Sequence, residues 1–584
     1  MKPTGEKMLR VALIAAAFFL LAMPGLAKHP KIAPDLEGVD PSANVDVIVQ
    51  YTQTPTARHH AKVLSRGGQL KAQLDLVKGA AYRIQRSQLE SLANDPEVVY
   101  VSPDRKIAGM LDLTAAAVNA PTAWNSYGFT GSGIGVAIVD SGIPYHQDFN
   151  NGHGGRRVVY QQDFSGAGVV DQFGHGGHVS GIVAGNAKRS TGSQFTRTFE
   201  GIAPNANLVN LRVLDQNGNS TDSIVISALN EAVAIQSQYN IRVINLSLGR
   251  PVFESYTQDP LCQAVEAAWK AGMVVVVAAG NDGRDNSAGT NGYGTIYAPG
   301  NDPYVITVGA MKTMGTPQRN DDLIASYSSK GPTVVDHIVK PDIVAPGNEV
   351  VSVMANNASL AQTYPQTLVP MSYYVTNGSG NSFSYFMLNG TSMAAPAVSG
   401  AAVLLIQQNP NLTPDQVKAR LMMTAYKTFP PSSSVTDPTT GIVYTDYYDV
   451  FTVGAGYVDI AAALANTDVA VCSAANSTTA AASSAWGTVT TASAAPAAGC
   501  ALSPTAVFNA STGTATLVPA PGSIWNTQTL WASQTIWGAT QVLDSSGTLW
   551  GSQTLWGAQT LWSAQSLWAQ TTPSDSTIIL VNGE

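Results

Sequence analysis

Residues 389–400 read NGTSMAAPAVSG and place a serine, Ser392, at the start of a predicted buried helix. Gly390 permits a sharp backbone turn, and the small and apolar run 393–406 predicts an enclosed helix. Pro396 is expected in the first turn, where its missing N–H costs little. The helix N-terminus would direct N–H groups at the Ser392 hydroxyl, where negative charge develops during acyl transfer. Taken alone, such a segment more often means a hydroxyl that caps a core helix.

Two further motifs contain the base and the carboxylate that a serine nucleophile needs. The apolar run VAIVDSG (136–142) contains Asp140, and GHGGHVSG (174–181) places His175 and His178 among glycines before an apolar stretch. A structural aspartate at a strand end is the alternative for Asp140. A metal site is the alternative for the histidines, but the motif has no cysteine or further histidine nearby.

In the order Asp140, His175, Ser392, these motifs resemble the subtilisin-like serine proteases, the subtilases of peptidase family S8. The resemblance covers about 116–465 and implies an α/β fold of three layers, α/β/α, with a parallel central sheet. The alternation of short β-branched runs with longer helical patterns agrees with that fold. Other matching blocks follow in family order: INLSLG (244–249), VAAGN (277–281), YSSKGP (327–332) and KPDIVAPG (340–347).

The resemblance also implies a role for each site residue. Asp140 would orient the imidazole of His175, which would take the proton from Ser392. The Asn281 side chain and the Ser392 backbone N–H would stabilise the oxyanion, while His178 is not the base. Two segments are expected to form the walls of the primary specificity pocket, along which an extended peptide would add. They are Ser247, Leu248 and Gly249 on one side, and Ala278, Ala279 and Gly280 on the other.

Three features depart from the family pattern. Gly177 replaces the threonine usual between the two histidines and is expected to loosen that turn. The tyrosine-rich insert 354–386 is longer than in compact members and is expected near the cleft. Tyr297 is placed at the floor of the specificity pocket, where small residues are common, so a smaller pocket would follow.

The N-terminal residues predict export. Positively charged residues precede the apolar run 11–23, which is too short to span a bilayer, and small residues lead to a cleavage site after Ala27. Residues 1–27 therefore predict a secretory signal peptide, and the protein is expected to be secreted to the extracellular space or cell envelope.

Residues 28–110 are predicted to form a separate domain. Between 45 and 103 the element order is β-α-β-β-α-β, typical of a ferredoxin-like unit, with a capping box at 87–90 opening the second helix. The unit resembles the inhibitor I9-like propeptide of subtilases, which implies an intramolecular inhibitor and folding aid. Autoprocessing is expected between about Arg105 and Ala117.

The composition changes after the predicted catalytic domain, 111–465. Residues 466–522 are rich in Ala, Ser, Thr and Pro and predict a linker. In 523–584 tryptophans recur every six residues, which predicts a β-rich hexapeptide repeat. Their rings either form the repeat's own core or present a platform for a cell surface, a glycan or another protein. Cys472 and Cys500 could be bridged, and Cys262 is expected to be buried.

The formal net charge is −8, and only 12% of residues are charged, without a basic face, so a nucleic-acid partner is not expected. The chemistry requires no cofactor; the resemblance allows structural calcium held by scattered carbonyls, and the metal ligands stay unknown. A lipase would need a G-x-S-x-G elbow, which is missing, and an inactive binding protein has no need of all four site residues. The sequence thus predicts a secreted serine endopeptidase that hydrolyses peptide bonds of proteins through an acyl-enzyme.

Overall fold

The computed structural model describes residues 30–33, 36, 39–75, 78–103, 111–152, 154–437, 440–470, 499–509, 514–526, 548–549 and 573–583. The predicted signal peptide lies outside the described residues, as do Cys472 and every tryptophan of the repeat except Trp525. The chain divides into two compact units, 1–107 and 108–584. Within the described ranges, no helix combines the length and the apolar content needed to cross a membrane.

The first unit has the element order β-α-β-β-α-β that the sequence predicts for 45–103. Its four strands form one antiparallel sheet in the order β2-β3-β1-β4 around a buried apolar core. The predicted capping box is wrong, because a 3-10 turn, Arg86–Gln88, precedes the second helix and Gln88 makes no side-chain cap. The elements are β1 Asn44–Tyr51, α1 Ala57–Leu64, β2 Gln69–Leu74, β3 Gly79–Gln85, α2 Leu89–Ala93 and β4 Val98–Pro103.

The second unit has the alternation of short strands and longer helices that the sequence predicts for the catalytic domain. Its elements are α3 Leu111–Ala117, β5 Gly135–Asp140, β6 Val158–Asp163, α4 His175–Ala184, β7 Asn207–Arg212, α5 Asp222–Ala234, β8 Ile241–Leu246, α6 Pro260–Lys270, β9 Val274–Ala278, β10 Ile306–Lys312, β11 Leu323–Ile324, β12 Ile343–Pro346, β13 Val350–Val353, α7 Ser359–Thr363, β14 Leu368–Pro370, β15 Asn381–Leu388, α8 Thr391–Gln408, α9 Pro414–Thr424, β16 Ser432–Thr436, β17 Val443–Tyr447, α10 Ile460–Ala465, β18 Thr505–Asn509, β19 Thr514–Val518, β20 Thr548–Leu549 and α11 Pro573–Asn582.

The central sheet has eight strands and is mixed rather than wholly parallel. Its order is β11-β10-β9-β8-β5-β7-β6, with β12 also paired to β10. Every pair is parallel except β10 with β11. The two-residue strand β11 follows β10 through a connection too short for the crossover that a parallel pair requires.

Helices cover the sheet so that its central strands are buried on both faces. All six residues of β5 are buried, α8 packs on α4, and α5 packs on α6. The polar residues of the predicted site follow the carboxyl ends of neighbouring strands: Asp140 ends β5, Ser247 follows β8, and Gly280 and Asn281 follow β9. In an open α/β sheet this edge is where ligands bind.

The linker prediction is wrong for residues 499–509, which pack into the second unit. The Val339 N–H donates to Pro504 O at 2.8 Å, and the Ala506 N–H donates to His337 O at 2.8 Å. The hydroxyl of Ser503 donates to the buried carboxylate of Asp342 at 2.5 Å. These bonds give the backbone and the Ser503 side chain of this stretch fixed partners, which composition alone does not reveal.

The C-terminal region is not uniformly β-rich, because the chain ends in the helix α11. Trp525 is 2% exposed and its indole N–H donates to Leu502 O at 2.7 Å, so this ring belongs to a core. Cys500 is disulfide-bonded, whereas Cys262 is a free, buried thiol whose pKa is raised by burial.

Candidate active site

Asp140 and His175 form the first part of the site. The His175 Nδ1 atom lies 2.8 Å from Asp140 Oδ1 and 3.0 Å from Oδ2, and the carboxylate is fully buried. The Ser141 N–H donates to the same Oδ1 at 2.7 Å. Because a carboxylate only accepts hydrogen bonds, Nδ1 carries the proton and Nε2 is left as the acceptor.

Close contact between two backbone turns sets this geometry. A Cβ atom at Gly176 would lie 2.3 Å from Gly142 O, so a residue with a side chain does not fit there. The Gly176 N–H also donates to Ser141 Oγ at 2.8 Å. The turn after β5 and the first turn of α4 are therefore held together by glycine, which brings Asp140 and His175 within hydrogen-bonding distance.

Asp171 is a buried carboxylate that the sequence analysis missed. Its Oδ1 accepts from Ser141 Oγ at 2.9 Å and from Gly174 N–H at 2.7 Å, and its Oδ2 accepts from Gly177 N–H at 2.7 Å. It therefore ties the turn after Asp140 to the start of the His175 helix. The available signal was an aspartate four residues before His175 in a glycine-rich loop.

The prediction of a loosened turn at Gly177 is wrong. A Cβ atom there would lie 2.9 Å from Pro144 Cδ and 3.1 Å from Asp171 Oδ2, so the space of a larger residue is already occupied. Its N–H bond to Asp171 further fixes the turn.

The titration of the buried histidines follows from their neighbours. Burial acts to lower the pKa of His175, but the charge and hydrogen bond of Asp140, with the charge of Asp171, raise it above its ordinary value. Burial raises the pKa of Asp171 to about 6, against its three hydrogen bonds. Burial lowers the pKa of His178 to about 3, and its Nε2–H donates to Val350 O at 2.9 Å. His178 is thus a neutral core residue.

Ser392 is the second residue of α8, after Gly390, whose φ of +138° favours glycine. Pro396 lies in the second turn of this helix and not in the first, and it cannot donate to Ser392 O four residues earlier. The Ser247 hydroxyl donates to that carbonyl instead, at 2.8 Å. The Ser392 hydroxyl in turn donates to Ser247 O at 3.1 Å. Ser247 therefore makes one hydrogen bond with the backbone carbonyl of Ser392 and another with its hydroxyl.

The amide of Asn281 has a defined orientation. Its Oδ1 accepts from the Thr391 N–H at 2.9 Å and from the Thr391 hydroxyl at 3.1 Å. Because a backbone N–H can only donate, this oxygen assignment is settled, and the Nδ2 donors are directed elsewhere. A Cβ atom at Gly390 would lie 3.2 Å from Nδ2, which places these donors beside the turn that precedes Ser392.

The site residues meet at a cleft of about 470 Å³ whose lining includes His175, Ser392, Asn281 and Ser247. A smaller pocket of about 150 Å³ adjoins it. The predicted wall residues Leu248, Gly249, Ala278 and Gly280 line this pocket, together with Tyr297, Thr391, Asn281 and Ser392. Ala279 is fully buried and lines neither cavity, but its carbonyl accepts the Tyr297 N–H at 3.0 Å.

Tyr297 lies between the two walls of the smaller pocket. A Cβ atom at Gly280 would lie 3.0 Å from Tyr297 Cδ1, and one at Gly249 would lie 3.1 Å from Tyr297 Cβ. The ring therefore occupies volume that a smaller residue at 297 would leave open.

The tyrosine-rich insert packs beside the loop that leads to His175. The Ser359 N–H donates to Gln172 O at 2.9 Å, and the Leu360 N–H donates to Phe173 O at 3.2 Å. Phe173 lines the cleft, so the insert supports one of its walls. No cluster of three or more His, Cys, Asp or Glu side chains suited to a metal ion occurs in the part of the chain described, and structural calcium stays a prediction.

Comparison with known proteins gives the class. Residues 131–456 match the model of the subtilase family, Peptidase_S8, which is more than half of the chain. The chain belongs to this family, and it is a subtilase-family serine endopeptidase.

Particular relatives are similar over most of their lengths. Serine protease AprX of Bacillus subtilis (strain 168) is 35% identical over 60% of this chain and 75% of its own length. Subtilisin E of the same organism is 32% identical over 65% of this chain and 84% of its own length. An extracellular serine proteinase of Thermus sp. (strain Rt41A) is 31% identical over 59% of this chain and 70% of its own length.

Replacing Asp171 by asparagine is expected to lower the pKa of His175, because the substitution removes a negative charge that favours the imidazolium. NMR titration of the His175 ring nitrogens in an inactive Ser392→Ala background measures this pKa. The exposed Asp321→Asn is the matched control and should leave it unchanged. An unchanged His175 pKa in folded Asp171→Asn protein would contradict the assigned electrostatic contact.

Proposed function

We propose that Asp140, His175, Ser392 and Asn281 form the reaction centre of a secreted endopeptidase that is made as an autoprocessed precursor. One observation carries the proposal: an imidazole fixed by a buried carboxylate lines the same cleft as the serine at a helix N-terminus and the asparagine amide. A serine that only capped a core helix would not need a fixed imidazole and an amide in the same cleft.

The chemistry follows from the positions of these groups. Rotation of the Ser392 hydroxyl away from Ser247 O directs its proton to His175 Nε2 while Oγ attacks the peptide carbonyl. The oxyanion accepts from Asn281 Nδ2 and from the Ser392 N–H, which is free at the start of α8. The His175 imidazolium, stabilised by Asp140, then gives its proton to the leaving amine. Water, activated by His175, releases the acyl group from Ser392 Oγ.

The substrates are proteins and peptides bound as extended strands. Leu248 and Gly249 on one wall and Ala278 and Gly280 on the other hold the residue before the scissile bond, and Tyr297 limits its size. We therefore assign a preference for small side chains such as alanine at that residue, since a larger one would overlap the ring.

Export and processing complete the proposal. Residues 1–27 have the pattern of a signal peptide, and the Thermus relative is named an extracellular proteinase. The boundary between the two compact units, after residue 107, falls inside the predicted processing window of 105–117. Because Leu113 and Thr114 are buried in α3, cleavage before residue 111 is favoured. The first unit would then act as the inhibitory, fold-assisting propeptide.

The precursor with Ser392→Ala should remain full length after signal removal, whereas the unsubstituted chain should appear as two fragments cut before residue 111. Mass spectrometry of purified protein, with hydrolysis of denatured casein measured in parallel, checks both expectations. The Asn281→Ala variant removes one oxyanion donor but keeps the nucleophile and the base. Its turnover should fall by about 10² to 10³. Cleavage of purified Ser392→Ala precursor at this junction would contradict autoprocessing, and retained casein hydrolysis would contradict the reaction centre.

Tyr297→Gly should enlarge the pocket and raise kcat/KM for substrates with phenylalanine or leucine before the scissile bond by about tenfold or more. A peptide library differing only at that residue measures the change against alanine. Tyr127→Gly, at a half-exposed tyrosine outside the cavity linings, serves as the control. A wild-type preference for phenylalanine would contradict the assigned role of Tyr297.

A further inference from the structure

The C-terminal helix α11 ends at the active-site cleft. Leu580 lines the same cleft as His175 and Ser392, although it lies 188 residues beyond the serine in the sequence. Ile579, Leu580 and Val581 are 8%, 8% and 5% exposed, so their aliphatic side chains are packed against the rest of the second unit. The neighbouring Ile578 is 53% exposed, so one side of the segment faces solvent.

A specific pair of hydrogen bonds anchors this segment. The Asn389 backbone N–H donates to Leu580 O at 3.0 Å, and the Asn389 Nδ2 donates to the same oxygen at 3.3 Å. Leu580 O is in the last turn of α11, where carbonyls lack intrahelical partners. The Asn389 side chain is itself oriented, because its Oδ1 accepts from the Glu349 N–H at 2.6 Å. Asn389 therefore caps the helix end.

The anchor is close to the reaction centre in sequence and in space. Asn389 directly follows strand β15 and precedes Ser392 by three residues. Its backbone N–H is the kind of donor that an extended peptide uses when it adds beside a strand. A second contact, from Gln366 Nε2 to Asn582 Oδ1 at 3.3 Å, fixes the end of the segment.

The location of Leu580 indicates which part of a substrate it would meet. Leu580 lines the larger cleft but not the smaller pocket that contains Tyr297. An endopeptidase substrate continues on both sides of the scissile bond, and the smaller pocket receives only the residue on the acyl side. Leu580 therefore lies outside the pocket assigned to the residue before the scissile bond, in the larger cleft that is open to the rest of the peptide.

We propose that residues 579–583 are an intramolecular ligand of the cleft, which occupies the binding surface for the aliphatic residues that follow the scissile bond. The inference rests on the reaction centre proposed above. Long peptides must displace the segment, whereas substrates whose leaving group is a small alcohol or amine need not. If the segment is docked in nine molecules of ten, its release raises the apparent affinity for a long peptide about tenfold.

The test compares Leu580→Glu with Ile578→Glu in the full chain. Both place the same charge on the same helix, but the first at a buried contact in the cleft and the second at an exposed position. Two substrates share one acyl half: a methyl ester, and a decapeptide that continues for five residues beyond the scissile bond. Leu580→Glu is expected to lower KM for the decapeptide about tenfold and to leave the ester unchanged. Ile578→Glu should change neither.

A synthetic peptide of residues 573–583 provides a second measurement, because it supplies the docked segment as a separate molecule. Added to Leu580→Glu protein, it should inhibit decapeptide cleavage competitively and leave ester turnover unaffected. Equal kinetics of both variants on the decapeptide, or no inhibition by the peptide, would overturn the proposal while ester turnover still supports the reaction centre. Failure of the wild-type enzyme to turn over the ester would count against the reaction centre itself.

Discussion

The buried hydrogen bond between Asp140 and His175 is the interaction on which the rest of the site depends. It fixes the proton on Nδ1 and leaves Nε2 available as a base, and the negative charge beside the ring favours the imidazolium that proton transfer creates. The bond is maintained by backbone packing, since Gly176 lies against Gly142 and Asp171 ties both turns together. Two elements distant in sequence therefore act as one rigid unit.

A second hydrogen-bond network holds Ser392 where its helix lacks one backbone hydrogen bond. Pro396 removes the N–H that would have bonded to Ser392 O, and the Ser247 hydroxyl replaces it. This links the strand end that forms a pocket wall to the residue that would be acylated. The Asn281 amide is oriented by Thr391, the neighbour of Ser392, so the backbone that carries the nucleophile also orients the proposed oxyanion donor.

Much of this arrangement could be predicted from the sequence because the decisive residues lie in local motifs. Apolar strands that end in Asp140 or precede Asn281, and a small-residue helix after Ser392, each have a local signature. The role of Asp171 and the filled space at Gly177 depend on contacts between segments, which no single motif contains. The fixed packing of 499–509 was missed for the same reason, because its Ala- and Ser-rich composition resembles a linker. Pro396 was misplaced because the helix begins at Thr391, two residues before the apolar run from which it was predicted.

The site thus combines a shared family chemistry with features of this chain, namely Tyr297 in the lining of the smaller pocket and Leu580 in the lining of the cleft. In the proposed mechanism, His175 makes Ser392 nucleophilic. Reaction with a fluorophosphonate, followed by peptide mapping in native and His175→Ala protein, tests this most directly. We expect one adduct, on Ser392, which forms at least about 10³ times more slowly without the imidazole. An adduct on another residue, or equal labelling rates in the two proteins, would contradict it.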